Sequence, residues 1–254
     1  MDTMRFPSPG QVRFEIEIGA GEVQVTASDR ADTTVEIDVR KGPEPEVTHR
    51  DGPDGTLITI RAKKARRQDY GIFIGCPEGT SFEITTGSAD MIAKGVIGSI
   101  EFRAGSGDLI FHDARGDVAV KVGSGDAIGK SVGGSFTMHS GSGDVRLQQV
   151  AHDVTVKTAS GDISTGPVGG DANVTTVSGD VEVASLRTGA AHLRSVSGDV
   201  TVGVAAGTQV FLDLSATSGE ARSDLAPSEG PTGEGSNLEL HVATVSGDIR
   251  VRRA

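Results

Sequence analysis

Apolar and polar residues alternate along most of the chain in runs of three to five residues, each bounded by Gly, Ser or Asp. Alternation at period two is the signature of β-strands, and the bounding residues are those of turns. The turns keep time. Asp90, Asp108, Asp126, Asp144, Asp162 and Asp180 each close a small-residue triplet and recur at every eighteenth position. Asp199, Glu220 and Asp248 continue the series at steps of 19, 21 and 28. A half-beat falls nine positions later, at Asp117, Asp153 and Asp171.

Aligning the units on these acids sorts the apolar residues into columns. Met91, Leu109, Ala127, Val145, Ile163, Val181 and Val200 follow the acid directly. Two residues on come Ala93, Phe111, Leu147, Val183 and Val202, interrupted by Gly129 and Thr165. Val96, Ala114, Val132, Val150, Val168 and Leu186 form a mid-unit column. The second half adds the Ile100 and Phe102 columns, which repeat at Val118 and Val120, Phe136 and Met138, Val154 and Val156. Frequent Gly, β-branched residues and a spacing of two exclude helices. A unit of this length, at about 3.3 Å per residue, has a perimeter below about 60 Å, a narrow coil whose neighbours stack about 4.8 Å away. The pattern therefore predicts an all-β protein. Its form is a single-stranded β-solenoid with one coil per repeat of the beat and an irregular N-terminal β cap. Each Ser-Gly-Asp is a corner: Gly takes backbone angles closed to other residues, and Asp accepts hydrogen bonds from backbone N–H groups.

The expected organisation is a β cap over residues 1–85, continuous with a regular solenoid over 86–225. A flexible insertion over 226–237, "APSEGPTGEGSN", and closing strands over 238–254 follow. In the cap, "GAGEVQV" (Gly19–Val25) reads as a degenerate first corner, "TTVEIDV" (Thr33–Val39) as a strand, and "LITI" (Leu57–Ile60) as the end of a hairpin. "RAKKARRQD" (Arg61–Asp69) reads as an exposed loop. Arg250, Arg252 and Arg253 are expected to protect the exposed edge of a closing strand.

Composition narrows the function. With aromatics at 4% and no Trp, the core must be built from Val, Ile, Leu, Ala and Thr. A net charge of −11 disfavours nucleic acid as a partner, because neutralising phosphates needs a basic surface. The single cysteine, Cys76, allows no internal disulfide and fits a reducing compartment. The N-terminal residues lack the basic and apolar regions of a signal peptide, and no run reaches the ~18 apolar residues of a membrane span. A cytoplasmic location is the expectation.

The early "IGAGEVQV", the lead-in "CPEGTSFEITTGSADMIAKG", the repeated "GSGDV"-like corners and the closing "ATVSGDIRV" together resemble the bacterial putative-adhesin family of β-strand-repeat proteins. The resemblance covers nearly the whole chain. It implies a β-solenoid-like domain linked to adhesion or envelope-stress roles. It brings no catalytic residues.

Several constellations invite chemistry. If the corner acids Asp90, Asp108, Asp126, Asp144, Asp162, Asp180, Asp199 and Asp248 stack in register, neighbours repel by roughly 0.8 kcal/mol per pair in water and ~3 at an effective dielectric of about 20. Backbone donors or a row of cations must offset this. The calcium-binding nonapeptide motif places a residue between Gly and Asp, and here none stands there, so the acids are read as structural corners and no metal is assigned. Arg103, Lys121, His139 and Lys157 fall in one outward column, and Lys94, His112 and Lys130 in the equivalent column of the other half-unit. They either offset the acids or grip an anionic polymer. Lys63 to Arg67 is a basic run read as an exposed loop, and Arg115–Asp117 spells Arg-Gly-Asp where a half-beat corner is due. None of the six histidines has a metal-ligand spacing, and Cys76 reads as packed rather than reactive. The sequence thus predicts a non-enzymatic scaffold or binding module without a cofactor. It presents a repetitive face to a protein or anionic polymer, as a monomer or with weak self-association. A self-assembling, bactofilin-like structural protein is the alternative. A cation-dependent glycan binder or polysaccharide-active enzyme ranks below both.

Overall fold

In the computed structural model, residues 3–8, 10–53, 55–63, 67–225 and 237–254 are described. All their regular elements are strands. The insertion expected over 226–237 lies outside the described residues but for Asn237, as does most of the basic run Lys63 to Arg67. The chain forms two compact units, Met1–Gly133 and Gly134–Ala254.

The first unit is organised around one long strand, Val12–Ser28. It runs straight through the corner at Gly21, whose φ of 137° only glycine tolerates. Along one edge it pairs in parallel with Ser81–Ile97, from Arg13 opposite Ser81 to Thr26 opposite Lys94. Glu22 thereby faces Asp90, so the degenerate first corner is a true corner. Two shorter strands cover its other edge in parallel, Gly55–Arg61 and Asp69–Pro77. Gly55–Arg61 forms a hairpin with Glu46–Gly52. Asp69–Pro77 pairs antiparallel with Asp32–Lys41, which pairs antiparallel with Thr3–Pro7. Beyond Ser81–Ile97 the coils become regular. Ile100–Ser106 lies under Val118–Ser124, and Leu109–Ala114 under Ala127–Val132, each pair in parallel register and separated along the chain by one full beat.

The second unit repeats this coil. Phe136–Ser142 pairs with Val154–Lys157, which pairs with Ala172–Ser178, which pairs with Gly189–Ser197. On the other side of the corner the succession is Val145–Val150, Ile163–Val168, Val181–Leu186 and Val200–Val204. Each coil therefore carries two strands, one either side of a Ser-Gly-Asp corner, as a β-solenoid with this repeat requires. Side chains in the predicted columns point inward: Val145, Ile163, Val181 and Val200 are all at most 1% exposed. Fully burying a Val, Leu or Ile is worth about 1.5–3 kcal/mol, so the files of like residues supply the main cohesion.

Two details depart from the sequence pattern. A register irregularity between Ala93 and Val96 turns Ile97, not Val96, into the core partner of Ala114. Gly95, at φ 86°, takes up the extra residue. The second departure is topological. Asn237–Ser246 and Ile249–Arg253 do not close the array. They lie between the coil Gly189–Val204 and the later strands Gln209–Ser218 and Ala221–Ser223. The corner acids follow the same order, Asp199, then Asp248, then Glu220. Arg250 thus faces Arg222 of Ala221–Ser223 and does not stand on a free edge; the pairing ends at Val251, before Arg252 and Arg253. Arg252 pairs with Glu182 at 3.2 Å, and Arg253 donates to the carbonyls of Ala205 and Thr208.

Candidate binding columns

The corner acids are a hydrogen-bonded ladder. In the first unit the Asp108 N–H donates to Asp90 Oδ1, and the Asp126 N–H to Asp108 Oδ1, both at 2.9 Å. In the second unit Asp144, Asp162, Asp180 and Asp199 each accept the N–H of the next corner acid at 2.8–2.9 Å, and Asp248 accepts that of Glu220 at 3.0 Å. One oxygen of each accepting carboxylate is committed to backbone. A charge-assisted bond of this kind offsets repulsion of the size expected between neighbouring acids. The half-beat carries a second ladder: Asp153 Oδ1 accepts from Asp171 N–H, and Asp171 Oδ1 from Ala190 N–H. Among the described residues no three His, Cys, Asp or Glu side chains are grouped to hold a metal ion.

The basic residues fall where the register puts them, and all are exposed. Lys121 lies directly over Arg103 in the first unit, and His139 beside Lys157 in the second. Lys94, His112 and Lys130 stand on the outward side of the other ladder of the first unit. Their electrostatics divide by residue type. Arg103 is neutralised by Glu83 at 3.3 Å and by Glu101. Glu83 also accepts from Arg13 at 2.6 Å, and the Arg13 and Arg103 guanidiniums hold its carboxyl below the usual range. Lys94, Lys121, Lys130 and Lys157 form no ion pair among the described residues. The lysines are therefore not spent on the acid columns. Within the first unit three of them stand on outward faces to either side of the corner acids.

The first unit also holds a groove of about 1160 Å³ that no sequence pattern marks. Arg13, Arg50, Glu83, Glu101, Arg115 and Asp117 are among the residues that line it, together with glycines of the cap and of the half-beat turns. Arg115 is paired with Glu78 at 2.7 Å, so the Arg-Gly-Asp tripeptide is a half-beat corner with an engaged arginine. Arg50 has no ion pair among the described residues. The groove is legible only after folding, because Arg13, Glu83 and Glu101 come from three different coils.

The remaining reactive groups are accounted for by packing. Cys76 is buried, and desolvation pushes its thiol up to about 11, far from a nucleophile's range. His49 meets Asp51 at 3.2 Å and stacks on Phe6; His241 meets Asp213 at 3.1 Å and stacks on His192. Among the described residues no helix is long and apolar enough to cross a membrane.

Residues 13–252 match the Toastrack DUF4097 family. No curated protein matches the chain. Several solved structures are similar to it, among them the following three. One is a putative lipid binding protein from Parabacteroides distasonis, 15% identical, covering 98% of this chain and 96% of its own with a TM-score of 0.43. Another is a putative adhesin from Bacteroides fragilis, 11% identical, covering 98% and 97% with a TM-score of 0.38. The third is a putative cell adhesion protein from Clostridium sporogenes, 11% identical, covering 100% and 99% with a TM-score of 0.27.

Proposed function

The chain belongs to the Toastrack DUF4097 family, and on that footing we propose that it is a non-enzymatic, adhesin-like binding module whose repetitive outward columns engage an anionic polymer or an acidic protein surface. The observation that carries this reading is the set of unpaired lysines, Lys94, Lys121 and Lys130, on an otherwise acidic protein. In a chain of net charge −11, an unspent cation on a fixed backbone grid is a local attractor for negative charge. The regular register fixes the backbone positions that carry these cations, so the order lost on binding is confined to the lysine side chains. The reading places the module in the cytoplasm, in keeping with one cysteine and no possible internal disulfide.

The test is retention on immobilised polyphosphate and on dextran sulfate across a salt gradient. The Lys94→Glu, Lys121→Glu, Lys130→Glu triple variant is run in parallel. At roughly 0.7 counterions per contact, the variant's slope of log K against log salt should fall by about 2. Equal retention of both proteins would refute the reading. Cell fractionation that finds the native chain in the envelope would move it from the cytoplasm.

A second reading rests on the groove. Its mixed arginines and carboxylates, with unpaired Arg50 among the lining residues, match a neutral glycan better than a polyanion. Glycan-array binding lost on Arg50→Ala, and unaffected by the lysine triple variant, would favour it.

A further inference from the structure

One member of the basic files in the first unit is not a permanent cation. Lys94, His112 and Lys130 are all exposed, and they stand on three successive parallel strands, Ser81–Ile97, Leu109–Ala114 and Ala127–Val132. The register sets their order. Ala93 lies opposite Phe111, and Phe111 opposite Gly129, so the residues that follow form a file with the histidine in the middle. Packing holds that register. A Cβ on Gly129 would stand 2.2 Å from Phe111 Cζ, so the Phe111 ring fills the space that a side chain there would need. Neighbouring strands lie about 4.8 Å apart, which puts the two lysine positions about 10 Å apart with His112 between them.

A lysine keeps its charge across the physiological range, whereas an imidazole gains its charge between about pH 8 and about pH 5. The other charges on these strands are few. Ser81–Ile97 also carries Glu83 and Asp90, Leu109–Ala114 carries Asp113, and Ala127–Val132 carries none beyond Lys130. Glu83 lies on the far side of the corner and is held by Arg13 and Arg103. Asp90 Oδ1 accepts the Asp108 N–H, and Asp108 and Asp126 stand at the corners that precede the other two strands. Asp113 faces Ser131 across the ladder. Among the described residues Lys94, His112 and Lys130 form no ion pair.

We propose that His112 makes this file a proton-operated polyanion site, one that holds a sulfated or phosphorylated polymer more tightly as pH falls through the imidazole range. This rests on the lysines being an anion-binding face and adds the regulation of that face. A neutral imidazole leaves two cations separated by a gap. A protonated one gives three cations in a row and a further charge-assisted contact to the polymer. Because the extra contact exists only in the protonated form, proton binding and polymer binding favour each other reciprocally.

Retention of the full chain on dextran sulfate at fixed salt, from about pH 8 to about pH 5.5, tests this. Sulfate esters do not titrate in that window, so the pH dependence belongs to the protein. Wild type should gain about tenfold more affinity across it than His112→Gln, the size of one charge-assisted contact. The Gln variant shares the general loss of negative charge on acidification and so isolates the histidine. His112→Lys should bind at the upper end of the range as wild type binds at the lower. Should either variant misfold by circular dichroism, the other decides alone. A wild-type profile that is flat, or that His112→Gln follows in parallel, would overturn the proposal and leave the lysine face standing. A His112→Lys variant no tighter than wild type at the upper end would overturn it too. A wild type that is not retained at any pH would overturn both readings.

Discussion

Gly179→Ala measures how tightly one coil rests on the next. Gly179 has a φ of 138°, in a region nearly closed to residues with a side chain. A Cβ there would stand 2.1 Å from the Gly161 carbonyl oxygen and 3.2 Å from Asp162 Oδ1. Neither neighbour can yield, because Gly161 is itself a corner at φ 140° and Asp162 Oδ1 is bonded to Asp180 N–H. The backbone angle costs about 1–3 kcal/mol. Overpacking against fixed backbone adds about 1–3 kcal/mol. Together they amount to about 4 kcal/mol. Gly207 separates the two contributions. Its φ is 78°, but an added Cβ would meet nothing within 4 Å. Gly207→Ala should therefore cost only about 1 kcal/mol. Urea titrations followed by far-UV circular dichroism, at unchanged m-value, give both numbers. The reasoning fails if Gly179→Ala stays inside the range of an ordinary surface substitution, within about 0.5 kcal/mol of wild type. It fails equally if the two variants cost the same.

Three further outcomes are expected. Asp162→Asn keeps an acceptor for Asp180 N–H and removes repulsion from Asp144 and Asp180, so at low salt it should exceed both wild type and Asp162→Ala in stability. The margin over Ala should be about 1–2 kcal/mol, and the gain over wild type should shrink as salt rises. Thr165 Oγ1 is buried with no hydrogen-bond partner between Leu147 and Val183, so Thr165→Val should stabilise by about 1–2 kcal/mol in the same titration. The Cys76 thiol has a folded value of about 11 against an ordinary value near 9. Its contribution is therefore complete below pH 9 and lost as pH rises from about 9 to about 11. The loss is about 2–3 kcal/mol, and Cys76→Ala should lack that part of the alkaline decline.

Much of the coil was legible because its constraints are local and repeated. Each Gly-Asp corner needs the same backbone angle and the same acceptor, so Asp108, Asp144 and Asp162 recur on one beat, and Val145, Ile163 and Val181 stack as the beat requires. What is not local was not legible. Ile97 replaces Val96 in the core because a single glycine bulge shifts the frame, and both residues are equally apolar. The order of the last coils escaped for a related reason. Asp199, Asp248 and Glu220 belong to interchangeable corners, and an interval along the chain does not specify an interval in space. In the basic columns, position came from the beat, but the distinction between spent Arg103 and unspent Lys121 depends on Glu83 and Glu101 in neighbouring coils. The sequence shows the charges and not which of them meet.

The interleaved final coils bear on how the polypeptide matures. Synthesis delivers Gln209–Ser223 before Asn237–Arg253, yet in the folded unit the later segment lies between it and Gly189–Val204. The earlier segment therefore gains its native neighbours only once the later one has been made, and these coils cannot be laid down one by one in chain order.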